Sequence, residues 1–148
     1  MEPLNSLRVA KKYQDIFGVN DDEASSMAEL IKGYPYAYQV LGYLCYKRQC
    51  SYDQVIDELD AYLGEYVYDK IWEELSHKDR VAVTAIAAAS GGKVENVRQE
   101  AGMTSAEFSV YRSRLLKKGI VRANGHGYLA FTLPRFKEYL KQRSKTSG

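Results

Sequence analysis

Four groups of residues in this chain have the chemistry to act on something, and spacing decides among them. Gly91-Gly92-Lys93 resembles the end of a phosphate-binding loop. Such a loop needs another glycine where Ala87 stands and a hydroxyl residue where Val94 stands, so Gly91-Gly92 is assigned to a helix stop. Cys45, Cys50, His77 and His126 are metal-ligating types, but no close Cys-x-x-Cys or His-x-x-x-His pair exists to seed a site. The expectation is two reduced thiols, two unrelated histidines and no metal. The carboxylate pairs Asp21-Asp22 and Glu73-Glu74 fall at helix ends and are taken as surface charge. No nucleophile stands beside either histidine in a convincing set. The chain is therefore expected not to be an enzyme by itself.

The fourth group is the segment Ser105–Lys118, S-A-E-F-S-V-Y-R-S-R-L-L-K-K. At about 100° per residue, Phe108, Tyr111 and Leu115 share an inner face. Ser109, Ser113 and Lys117 fall opposite, with Arg114 and Lys118 at the edge. Small hydroxyls flanked by cations suit a helix lying in a DNA major groove. Arg122, and His126 in a following turn, could reach adjacent phosphates. The competing reading is a solvated basic face on a domain that binds protein or nothing.

The elements that must position these residues follow from periodicity. Leu4, Leu7, Ala10, Tyr13 and Phe17 mark a first helix. Asn20 or Asp21 caps a second, with Ala24, Met27, Ala28 and Ile31 inward and Gly33 ending it in a left-handed conformation. Pro35 opens a third helix running to about Arg48. Ser51 and Gln54 form a capping-box pattern for a fourth, which continues past Gly64 to Trp72 and Leu75 or breaks there. Ser76 and Asp79 frame a helix to about Ser90. A short helix covers Val94–Ala101, Gly102 turns the chain, and Thr104 with Glu107 caps the basic helix. Residues 120–124 and 128–133 pair around Gly125-His126-Gly127. Pro134 opens a last helix, and residues 144–148 form a disordered tail.

The expected fold is mainly α: a small helical bundle over residues 1–75, then a winged helix-turn-helix with a short β-hairpin over 76–143. Charge divides at the same place. Residues 1–75 hold seven Lys/Arg against fourteen Asp/Glu, a net −7; residues 76–148 hold fourteen against five, a net +9. Two modules with different partners are implied.

Ten of the thirteen tyrosines precede residue 76. Between Tyr34 and Tyr46 there is no charge, which predicts a helix apolar on every side. That stretch is too short for a membrane span, which needs about 20 apolar residues. The N-terminus lacks a signal-peptide layout, so a cytoplasmic location and no membrane partner are expected. A bundle this small buries only about 60% of its unfolded surface. It cannot hide ten tyrosines, and a covering neighbour or a homodimer is expected.

The stretch G-Y-P-Y-A-Y-Q-V-L-G-Y-L-C-Y-K resembles the lid-domain segment of prokaryotic AAA-type, STAND-related P-loop ATPases. L-S-H-K-D-R-V-A-V-T-A-I-A-A-A and M-T-S-A-E-F-S-V-Y-R-S-R-L-L-K-K-G-I-V resemble the winged helix that follows that lid. The resemblance spans about residues 5–142. It implies a C-terminal regulatory fragment whose nucleotide-binding domain, carrying the phosphate-binding loop, lies upstream. Gly33, Tyr34 and Pro35 would then lie near the adenine and ribose of ATP held by that domain. The winged helix would bind DNA or a protein. Many such lids carry a phosphate-sensing arginine; residues 36–46 contain none, and Lys47 and Arg48 come late. The alternative expectation is a free-standing winged-helix transcriptional regulator whose helical half dimerises or binds an effector.

Overall fold

The computed structural model describes residues 21–32 and 34–147. The expected helix at residues 4–17 and the stop at Gly33 lie outside them. The described chain is mainly helical, with one small antiparallel sheet near its C-terminus. It divides into two compact units between Tyr68 and Asp69. Residues 69–75, placed with the first half on sequence grounds, belong to the second unit.

In the first unit, α1 spans Asp21–Ile31, α2 Pro35–Arg48 and α3 Ile56–Leu63. Lys32, just after α1, has a φ of 51° and takes a left-handed conformation itself. Pro35 occupies the first turn of α2, where a missing N–H costs nothing. Gln49 closes α2 in a left-handed conformation. The Ser51–Gln54 capping box does not form. Tyr52–Gln54 make a single 3-10 turn, no side chain caps either element, and α3 starts at Ile56. Beyond α3 the helix widens into a π stretch, Gly64–Tyr68. Met27, Ile31, Leu41, Leu44, Leu59, Leu63 and Tyr68 are the large side chains of this core.

The second unit begins with α4, Asp69–Glu74, followed by α5, His77–Ala88, α6, Val94–Ala101, and α7, Ser105–Lys117. Strands β1, Val121–Ala123, and β2, Leu129–Phe131, pair antiparallel with Arg122 opposite Ala130. They are shorter than expected at both ends. Lys93 bridges to Tyr128, adding a third chain segment to the sheet on the far side of β2. The last helix, α8, is Phe136–Ser147. It starts after Pro134, because Arg135 has a φ of 61°, and it runs through most of the expected tail. Val83, Ile86, Val97, Phe108, Leu115, Leu129, Phe136 and Leu140 form this core. Phe131, Phe136 and Tyr139 continue it as a run of ring contacts.

Candidate functional site

The first unit carries its most distinctive chemistry on α2. The expectation of a helix buried all round is corrected: only one side is buried, through Ala37, Val40, Leu41, Leu44 and Cys45. The opposite side holds Tyr36, Gln39, Tyr43 and Tyr46, at intervals of three, four and three residues. That spacing makes one stripe along a helix. Tyr43 is 51% and Tyr46 75% exposed. Tyr36 has a raised pKa, first from partial burial and then from the nearby Tyr66 and Tyr62 hydroxyls. Tyr62 and Tyr66 sit with ring centroids 5.7 Å apart, and Tyr66 is itself exposed. The aromatic surface therefore spans α2 and the end of α3.

Tyr34 and Pro35, two of the three residues implied to lie near ATP, are half-buried at the start of α2. Burial first, and then Tyr36, push the Tyr34 hydroxyl pKa up. Gly33 lies outside the described residues. The two late cations are engaged locally. Arg48 donates from Nε and Nη2 to the two carboxylate oxygens of Glu58, at 3.1 and 2.9 Å, and Lys47 lies over the Tyr43 ring. Neither Cys45 nor Cys50 is held in a disulfide.

In the second unit the sequence-derived DNA face separates into two kinds of residue. Ser109, Ser113, Lys117 and Lys118 are exposed on or just after α7, alongside Val110 at 57%. Arg114 is committed elsewhere. Its Nε and Nη2 donate to Asp79 Oδ1 and Oδ2 at 2.9 and 2.7 Å. Asp79 is wholly buried at the third position of α5, where it also accepts from the Ser76 N–H at 3.2 Å. The Ser76 Oγ in turn accepts from the Asp79 N–H at 3.1 Å, completing a capping box. These contacts, the Arg114 fork first, lower the Asp79 pKa to about 2 against the opposing effect of burial. Arg114 thus ties α7 to α5 through two of its guanidinium nitrogens, while its side chain stays 46% exposed. Thr104 caps α7, but Glu107 reaches across to Lys78 instead of closing a second box.

Arg122 is exposed on β1, with only a long contact of 3.5 Å to Asn124. His126 is exposed at the hairpin tip between two glycines of positive φ. Periodicity also missed a cluster around Trp72. The Arg80 and Arg143 guanidiniums lie 4.9 and 4.8 Å from its ring centroid, on two different helices. Arg143 and the Tyr139 hydroxyl both donate to Asp69, and burial pushes the Tyr139 pKa up to about 12. Beside the cluster lies a cleft of about 430 Å³, bounded by Trp72, His77, Arg80, Thr84 and Glu100. Only tertiary contact joins these residues, and no local sequence rule pairs them.

Residues 65–140 match the family model of a domain of unknown function, DUF8462. The chain belongs to this family. The DUF8462 match begins inside the π stretch and ends within α8, so it takes in α4 to β2 and the first part of α8. No curated protein and no solved structure matches the chain. Among the described residues, no group of His, Cys, Asp or Glu is arranged to hold a metal. Nor is any helix of theirs long and apolar enough to cross a membrane.

Proposed function

We propose that this chain is the lid and winged-helix portion of an AAA-type P-loop ATPase, regulatory and non-catalytic. The carrying observation is the outward Tyr36–Gln39–Tyr43–Tyr46 stripe on a proline-initiated helix. A tyrosine patch of this size on a small unit suits a docking face. The partner is the nucleotide-binding domain of the same ATPase, and ATP held there lies near Gly33, Tyr34 and Pro35. Nucleotide contacts bias the position of the first unit, and the second engages DNA or a protein. The order of helices α5 to α7, the Lys93 bridge and the hairpin supports a winged helix for that role.

The test is genetic. In frame upstream there should be a phosphate-binding loop with Lys followed by Ser or Thr. A stop codon there instead contradicts the proposal. The second reading is a free-standing DNA-binding regulator. It is favoured by the small, uncharged outer face of α7, with Ser109, Val110 and Ser113 exposed above Lys117. Under it, the aromatic stripe serves dimerisation.

A further inference from the structure

We infer that the outward face of the small sheet binds single-stranded nucleic acid, with a base stacked on Tyr128. This site is separate from the α7 face and does not rest on the ATPase reading. Leu129 and Phe131 are buried, so alternation turns Tyr128 and Ala130 to the other face of β2. Arg122, opposite Ala130, shares that face. So does Lys93, bridged to Tyr128 from the other side. The Asn124 N–H donates to the Tyr128 carbonyl at 2.9 Å, placing Asn124 beside the same ring. Neighbouring strands lie about 4.8 Å apart, so Lys93 and Asn124 stand about 10 Å apart across Tyr128.

The chemistry of this face is specific. Tyr128 is 40% exposed. Three other cations of the unit are spent on carboxylates: Lys78 on Glu107, Arg114 on Asp79 and Arg143 on Asp69. Among the described residues no carboxylate pairs with Lys93 or Arg122. An open aromatic ring between two unneutralised cations is the arrangement that holds an unpaired base and its flanking phosphates. A duplex keeps its bases stacked on each other and offers such a ring nothing but backbone. An acidic peptide would use the cations and leave the ring idle.

Fluorescence anisotropy on the full chain with labelled oligo-dT, the matching duplex and poly-glutamate separates these cases. The inference expects oligo-dT to bind more tightly than either competitor. Tyr128→Ala should weaken it about tenfold, about 1.4 kcal/mol, the scale of losing one stacked base. Tyr128→Phe should keep the affinity and shows that loss in the Ala variant is loss of the ring. Lys93→Gln and Arg122→Gln should each flatten the salt dependence, while Gln54→Ala at an exposed position of the first unit changes nothing. Three results would each overturn the inference: no oligo-dT binding at low salt, equal binding by Tyr128→Ala, or duplex or poly-glutamate binding at least as tight as oligo-dT.

Discussion

At the residue scale the decisive contact is Asp79 with Arg114. A buried carboxylate is costly unless it is paired and fully hydrogen-bonded, and here both oxygens take a guanidinium fork while the capping box supplies another donor. Its pKa falls from 3.8 to about 2. A carboxylate depressed in the folded state stabilises fully above its unfolded pKa and loses that contribution as pH falls through the folded value. The linkage amounts to about 2 kcal/mol, lost between roughly pH 4 and pH 2. Urea unfolding across that window should show the loss, and Asp79→Asn should remove this part of the acid dependence. A variant whose acid profile overlays the parent's would contradict the assignment. Ser76 and Asp79 were legible as a helix start, because capping is a local rule. Their partner, Arg114, lies 35 residues on, beyond the reach of any local rule.

Gly92 makes a second residue-scale case. The sequence marks Gly91-Gly92 as a helix stop; α5 instead ends at Ala88 with Ala89 extended, and the two glycines take positive φ in the turn beyond it. Only the fold reveals the stricter demand on Gly92, whose Cβ would come within 2.1 Å of the Leu129 carbonyl oxygen. Gly92→Ala should cost about 3 kcal/mol, combining left-handed strain with a backbone shift. Gly91→Ala meets nothing within 4 Å and carries the φ penalty alone. Chemical denaturation of the two variants should rank them in that order.

At the scale of elements, helix positions were well marked by caps, proline and periodicity. The bounds of α2 and of Val94–Ala101 match expectation, since Pro35 and Gly102 punctuate them. The π stretch was not visible, because Gly64 is compatible with either a break or a continuation. What the widening does is bring Leu63 and Tyr68, five residues apart, both into the core. For α7, the committed Arg114 alters what a DNA test must look like. If α7 lies in a duplex groove, Lys117→Ala should reduce the slope of log affinity against log salt by about one. Arg114→Ala should lower stability, and any loss of binding in it should track loss of folded protein. Duplex binding with an unchanged salt slope in Lys117→Ala would remove that lysine from the interface.

For the whole molecule, composition announced two modules: an acidic, tyrosine-rich half and a basic half. The compact units divide at Tyr68 and Asp69, slightly before the change in charge, because Trp72 and Asp69 are tied to Arg80, Tyr139 and Arg143. The aromatic excess was legible as a covering problem, but the uncharged run misled by suggesting burial all round. Tyrosine resolves the conflict by tolerating water at its hydroxyl while keeping an apolar ring ready for contact. With Tyr43 and Tyr46 exposed, the isolated chain should self-associate as concentration rises. Tyr43→Ser combined with Tyr46→Ser should hold it monomeric in sedimentation velocity. A parent chain that stays monomeric throughout would remove self-association as the stripe's use.

Under the proposed function this aromatic face meets a nucleotide-carrying domain, with Tyr34 and Pro35 close to the base. Photolabelling with an azido-adenine ATP analogue, on the chain joined to its phosphate-binding domain and followed by peptide mapping, tests it most directly. The account predicts ATP-protectable label on the peptide holding Tyr34 and Pro35. Label confined to other peptides, with that segment untouched, would contradict it.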